Sequence, residues 1–279
     1  VSVRGGTKRM RYYASAELYD QKGLIKELSQ DMYGNSSSPS YRRYAFRANM
    51  DLFLTKDLTF SVNFGTRFEE RRGSNTSESS TFSQTFYELN HTPGWLFPVS
   101  YEVQNGESTK TLYGGSSQYQ SNIVAALAKG GYYRATNTIN ETNFILDYKM
   151  DWLTKGLSAK GMVSFDYDSY YKKMFKADFA TYELNDRDNY ESMDAYNQFN
   201  SDGELAYSKD NSTTYKLYME AQVNYARQFG KHDVTAMVLY NQNDYRYNSE
   251  LAKRYQGLVG RVTYGYDDRY LAEFNAGYN

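Results

Sequence analysis

Cysteine is absent from the 279 residues, which excludes a disulfide framework and any thiol chemistry. Proline occurs only 3 times, so little interrupts long strands. Histidine is limited to His91 and His232, far apart and with no cysteine beside them, so no zinc site and no cofactor is expected. Long apolar runs are missing too. The longest, Ile123 to Ala128, falls far short of the ~20 residues that a membrane-crossing helix needs. An excess of either charge sign is also lacking: the net charge is -1, which argues against a nucleic-acid partner. At a mean hydropathy of -0.79 the chain looks too polar for a membrane. That test does not reach a β-barrel, in which alternate residues face lipid and polar loops dilute the average. No secretory leader is visible, and the chain opens at Val1 already within a strand-like pattern, so it reads as a piece of a longer protein.

What is present in quantity is tyrosine, 31 residues, which with 15 Phe and 2 Trp brings aromatics to 17%. Much of that aromatic content sits in period-two alternation. In the last hairpin Leu258, Gly260, Val262, Tyr264 and Tyr266 fall on one face, then Tyr270, Ala272, Phe274, Ala276 and Tyr278 on the return. Tyrosines bracket the apolar stretch at both ends, as the interfaces of a membrane-spanning strand require. The same pattern recurs in Met10 to Tyr19 and in Tyr44, Phe46, Ala48, Met50, Leu52 and Leu54. It recurs again in Leu58 to Phe68, Thr142 to Met150, Leu157 to Tyr167, Tyr215 to Tyr225 and Val234 to Tyr240.

The connections alternate in length. Gly6 to Arg9, Thr55 to Asp57, Thr154 to Gly156, Phe229 to His232 and Asp267 to Arg269 are tight. Asp20 to Ser40, 71 to 137, Tyr171 to Thr213 and Asn243 to Arg254 are longer. Leu54-Thr55-Lys56-Asp57-Leu58 and Leu153-Thr154-Lys155-Gly156-Leu157 look like copies of one turn. The breaker Asn35 to Pro39 interrupts the first long connection. Two short helices are expected in the second, one opened by a capping box at Thr81 to Gln84 and stopped near Pro93, the other from Ser121 to Lys129 before Gly130-Gly131. Tight turns at one end and long loops at the other are the plan of an outer-membrane barrel. A soluble extracellular glycan-binding sandwich, the rival from another class, has no reason to sort its connections by end.

Residues that could carry chemistry have plainer readings. Asp186, Asp188 and Asp194 crowd one loop, without the glycine and glutamate offsets of a calcium hand. Asn35-Ser36-Ser37 and Asn211-Ser212-Thr213 match glycosylation sequons by chance in a chain rich in Asn and Ser. The polar strand faces carry Arg47, Asn49, Asp51, Asn63, Arg67, Asp147, Arg261 and Glu273, which a barrel would turn to its wet lumen. Carboxylates there need no catalytic role, and no enzyme is expected. The loop aromatics Trp95, Phe97, Tyr101, Tyr113, Tyr119, Tyr132 and Tyr133 are the candidates for contact with a substrate or a lid protein, against self-packing of a large loop.

Several stretches, in order, resemble the SusC/RagA family of TonB-dependent outer-membrane transporters of Bacteroidetes-type bacteria. They are Val1 to Thr7, Tyr44 to Asp51, Leu153 to Ser158, Phe229 to His232, Gly257 to Tyr264 and Tyr270 to Asn279. The resemblance implies uptake of oligosaccharides or peptides across the bacterial outer membrane, a SusD-like surface lipoprotein over the barrel mouth, and energy from a TonB complex. It also implies a plug and further strands outside residues 1–279, and contact of the barrel wall with membrane lipid. A passive porin-like channel is the other transporter reading.

The expected fold is all-β: one partial barrel domain over residues 1–279, an open antiparallel up-and-down meander of about ten strands. The Val1 strand and the Tyr270–Tyr278 strand should be its unpaired edges. The 71–137 loop should lie at the end opposite Lys56, Lys155 and Asp268.

Overall fold

A computed structural model describes residues 1–26, 28, 37–75, 81–92 and 94–279. Its body is one antiparallel sheet of ten strands in which every strand pairs with the next one of the meander. The order is β1 (Ser2–Gly6), β2 (Met10–Lys22), β3 (Ser40–Phe53), β4 (Leu58–Ser74), β7 (Gly131–Lys149), β8 (Leu157–Lys176), β11 (Ala206–Phe229), β12 (His232–Tyr247), β13 (Lys253–Tyr266) and β14 (Tyr270–Tyr278). Among the described residues β1 and β14 are each paired on one side only, so the sheet is open. The long connections carry the rest. Helix α1 (Thr81–His91), the hairpin β5–β6 (Ser100–Asn105 and Ser108–Tyr113) and helix α2 (Ile123–Lys129) lie between β4 and β7. A second hairpin, β9–β10 (Thr181–Leu184 and Tyr196–Phe199), lies between β8 and β11.

Register keeps the two faces separate over the whole sheet. Leu52 opposes Phe60, which opposes Leu146, which opposes Gly161, which opposes Ala221, which opposes Tyr240. Three residues along, Asn49, Asn63, Asn143, Ser164 and Tyr218 form a row on the other face. No ladder skips a residue, so a single phase of alternation runs from β2 to β14.

Among the described residues nothing covers the apolar face. Phe144 is 44%, Val262 47% and Val238 56% exposed. The fully buried apolar residues, Val103 and Leu112 among them, lie in the loops instead. Soluble proteins leave apolar patches of a few hundred Å². An apolar face extending over ten strands belongs against another apolar phase.

The strands outrun their sequence signal. β4 continues to Ser74, β8 to Lys176 and β12 to Tyr247, while β7 begins at Gly131 and β11 at Ala206. Beyond the apolar band both faces are polar or aromatic, so alternation disappears although the ladder bonds go on. The expected loop 243–254 thereby shrinks to a turn at 248–252.

The two look-alike turns also differ. In the first, Thr55 Oγ1 accepts from the N–H groups of Asp57 and Leu58, at 3.2 and 3.0 Å. The second spans 150–156, where Gly156, at φ +86°, donates its N–H to Asp151. A Cβ at Gly156 would stand 2.0 Å from the Ala226 carbonyl oxygen, so this turn demands glycine where the first does not.

Helix α1 ends at His91; Pro93, its expected stop, and the side chains of the capping box lie outside the described residues, as does 29–36 with most of the Asn35 breaker. Helix α2 starts two residues later than expected because Asn122 caps it, accepting from Val124 and Ala125 at 3.0 and 3.1 Å.

Candidate functional site

The polar face carries ion pairs and charged hydrogen bonds in separate groups from β2 to β14. Glu69, nearly buried, pairs with Arg67 at 3.0 Å and Arg71 at 3.7 Å, and stands opposite Arg43, which reaches back to Glu17. Ser61 donates to Asp51 at 2.7 Å, and Lys160 meets Glu220 at 3.5 Å. At the far edge Arg261 pairs with Glu273 at 3.2 Å, and Asn275 donates to the same carboxylate. Near the β2 side, Ser15, Glu17, Arg47, Gly65, Arg67 and Glu141 line a recess of about 240 Å³. Gly65 opens that recess, since the nearest atom to a Cβ there would be Glu141 Oε2 at 3.8 Å. The arrangement offers both signs of charge within one recess, as a surface for zwitterionic or hydrogen-bonding solutes would.

The eight polar residues singled out from sequence fall on this one face. Arg47, Asn49 and Asp51 sit on β3, Asn63 and Arg67 on β4, Asp147 on β7, Arg261 on β13 and Glu273 on β14. Farther along, towards the long loops, the same face is covered. Tyr133, Ala135 and Lys172 are buried there, while Arg134 and Lys173 on the opposite face stay exposed.

The loops between β4 and β7 and between β8 and β11 fold into one unit above the sheet. Val103, Leu112, Ala180 and Tyr182 form its buried core, flanked by Tyr101, Met193 and Tyr196. A parallel bridge joins Gly114 to Tyr182, and Thr181 Oγ1 donates to the Gln120 carbonyl at 3.0 Å. Asn122, besides capping α2, donates its side-chain amide to the carbonyls of Val99 and Gly114 at 2.9 and 2.8 Å. Asp202 ties the second loop to α2. It meets Lys129 at 3.1 Å and accepts from the Ala180 N–H. Burial works against its ionisation, but that N–H and the Lys129 ammonium together hold its carboxyl below the ordinary carboxylate value. Burial raises the phenols of Tyr101, Tyr113 and Tyr182 above their usual value.

The loop aromatics are not gathered into one pocket. Tyr101 packs edge-on to Tyr196 at 4.9 Å, within the loop core. Phe97 stacks near Tyr119, whose hydroxyl donates to Glu88. Tyr113 lies beside Lys129 at 5.7 Å. Tyr133 points to the covered polar face, near Lys172, whereas Tyr132 stacks on Phe175 at 4.7 Å on the opposite face. Trp95 alone of the seven stands free of the protein, 84% exposed.

Sequence reasoning missed β9–β10 and with it Tyr182, Tyr196 and Asp202. Strands of four residues are too short to show a period, so the chain itself carries no clear signal for them. The remaining chemistry-bearing residues are separate from one another. His91 sits at the end of α1 against the Tyr87 carbonyl, and His232 bonds Tyr264 in the β11–β12 turn. Asp186 caps its own turn, where the Asn189 side chain and the Asp188 N–H lower its carboxyl. No group of three metal-ligating side chains occurs among the described residues.

No family model matches the chain, and no curated protein sequence matches it. Solved structures do. The chain is similar to the RagAB peptide transporter at 15% identity and a TM-score of 0.62, over 99% of this chain and 30% of that one. It is also similar to the RagAB peptide importer in its open-open state, at 14% identity and a TM-score of 0.64, and in its closed-closed state, at 14% and 0.57. In both, 99% of this chain and 30% of the other are covered. The chain thus spans under a third of the length of each of these structures, and at this identity the likeness is one of fold: its open meander follows the backbone course of part of those chains.

Proposed function

We propose that the chain is a stretch of barrel wall from a SusC-like, TonB-dependent importer of the bacterial outer membrane. It takes no part in catalysis. In this reading Phe60, Val62, Phe144, Val163 and their row face lipid, and Arg47, Asn49, Asp51, Asn63, Arg67, Asp147, Arg261 and Glu273 face the lumen. The observation that carries it is the uncovered apolar face, unbroken in register and bordered by tyrosines, backed by a polar face over which the loop unit folds. A wall that meets hydrocarbon on one side and water on the other has this pattern. The soluble sandwich would need a second sheet against the apolar face, and the other sheets are two-stranded hairpins in the loops.

The cargo is an oligosaccharide or a peptide, the latter being what the RagAB structures are described as carrying. A SusD-like lipoprotein covers the loop end, where Trp95 is the most available ring for contact, and a TonB complex acts through a plug outside residues 1–279.

The test is uptake by cells that carry or lack the full-length gene, offered fluorescent peptides or oligosaccharides with and without a protonophore. Gene-dependent uptake that the protonophore abolishes supports the importer. Uptake indifferent to it indicates a passive channel, and a protein that stays monodisperse without detergent sinks the barrel.

A further inference from the structure

Four carboxylates of the polar face are held by cations of the same face: Glu17 by Arg43, Glu69 by Arg67 and Arg71, Glu220 by Lys160 and Glu273 by Arg261. One row of that face is arranged differently. Arg47 of β3 opposes Gly65 of β4, and Gly65 opposes Glu141 of β7. Arg47 and Glu141 are both exposed. Among the described residues neither side chain makes an ion pair or a hydrogen bond.

Two walls of opposite charge thus stand about 10 Å apart, with β4 as the floor between them. The floor residue is glycine, so no side chain rises into the gap. The Glu141 carboxylate leans over it, with Oε2 3.8 Å from where a Cβ on Gly65 would lie. The gap is the recess of about 240 Å³ that Ser15 and Glu17 close on the β2 side.

Neighbouring strands deepen the difference between the walls. Arg67, although paired with Glu69, is diagonal to Arg47. On the other side Asp166 of β8 opposes Glu141 directly. Like charges so placed destabilise a ladder, and a cation bound beside them relieves the repulsion. Lys216 of β11 faces Asp166 from its far side and leaves Glu141 to the recess.

This geometry matches a solute that carries both charges. A guanidinium can give a carboxylate two parallel hydrogen bonds, and an ammonium has three donors for the carboxylates opposite. A neutral sugar would cover both charged groups and neutralise neither. The recess has room for about eight waters at ~30 Å³ each, and the ends of an extended dipeptide lie up to about 7 Å apart. With Arg47 and Glu141 leaning in from their strands, such a molecule bridges the gap.

We infer that Arg47 and Glu141, over the open floor at Gly65, form a subsite for a short peptide with free ends, its carboxylate on Arg47 and its ammonium on Glu141. The inference rests on the barrel reading of the preceding section, which makes this face the wall of the passage. Of the two cargoes named there it selects the peptide.

The test titrates dialanine, its N-acetyl form, its C-amide form and maltose into the full-length protein in non-ionic detergent, read by isothermal titration calorimetry. Dialanine should bind, each capped form at least tenfold more weakly, and maltose not at all. Arg47→Gln should weaken dialanine about tenfold and leave the C-amide form unchanged. Glu141→Gln should weaken dialanine equally and leave the N-acetyl form unchanged. A general loss of structure does not match variant to cap in this way. Gly65→Val, which fills the floor without altering charge, should weaken all three peptides. The caps probe the parent protein itself, so they decide the matter even if a variant does not fold.

Equal binding of dialanine and its capped forms overturns the inference, and so does binding indifferent to Arg47→Gln and Glu141→Gln. No binding of dialanine overturns it too, the result expected if another segment of the parent protein fills the recess. In a protein that still requires detergent, any of these defeats this inference alone. Loss of the detergent requirement itself defeats the barrel reading and this inference with it.

Discussion

Val62 and Asn63 are neighbours in the chain and opposites in environment. Val62 lies between Met50 and Phe144 on the apolar face, and Asn63 between Asn49 and Asn143 on the polar face. The strand begins at Leu58 beside the tight turn. At ~3.4 Å per residue and a tilt of about 40°, Val62 stands roughly 10 Å into an apolar band about 25 Å tall, close to its middle. Val62→Arg therefore places a cation near the bilayer midplane, and should destabilise the barrel by about 2–4 kcal/mol. Asn63→Arg adds a cation to a hydrated face that already holds Arg47 and Arg67, and should cost under ~0.5 kcal/mol, the size of a screened like-charge contact. The assay is reversible urea unfolding of the full-length protein into and out of lipid vesicles, with the slope of the transition checked for constancy between variants. Equal losses at the two positions would refute the reasoning. A larger loss at Asn63 would mean that the two faces are exchanged, as a one-residue slip of register does.

Asn122→Ala should cost about 2–3 kcal/mol in local opening of the loop unit, since it removes a helix cap and leaves the Val99 and Gly114 carbonyls without their donor; faster amide exchange across α2 and the β5–β6 hairpin is the readout. Gly131 sits at φ +91° with the Phe175 carbonyl oxygen 2.0 Å from where a Cβ would lie, so Gly131→Ala should strain the α2–β7 junction by at least about 1–3 kcal/mol, read in the same exchange experiment. The carboxyl of Asp202 is depressed in the folded state, so its contribution is complete above the ordinary value of 3.8 and is lost as pH falls through the lower folded one. Acidification should release the loop containing Ala180 to proteolysis in that window, and Asp202→Asn should be as labile at neutral pH as the parent is in acid.

The apolar stripe of each strand was legible in the sequence because the two faces of the sheet demand different side chains at alternate positions, one apolar and one polar. Val234, Ala236, Val238 and Tyr240 read as a strand in isolation, and they are one. Legibility stops where the demand stops. From Glu70 to Ser74 and from Tyr171 to Lys176 both faces carry charged residues and neither keeps an apolar stripe, so the strands persist while their period vanishes. The candidate lumen residues share one face because parity alone decides a face, and parity is local. The loop unit was much less accessible. Tyr101 and Tyr196 meet across a long separation in sequence, and their contact depends on a Gly114–Tyr182 bridge that no local pattern announces.

Residues 1–279 hold no cysteine, which makes single-cysteine spin labelling of this region of the full-length protein a direct test of the two-faced wall. Labels at Val62, Phe144 and Val163, and at Asn63, Asn143 and Ser164, sample two rows one residue apart. In lipid vesicles the first three should collide freely with oxygen, which concentrates in hydrocarbon, and hardly at all with a water-soluble nickel chelate. The second three should show the reverse. Six labels with the same preference, or the two rows exchanged, would contradict the account.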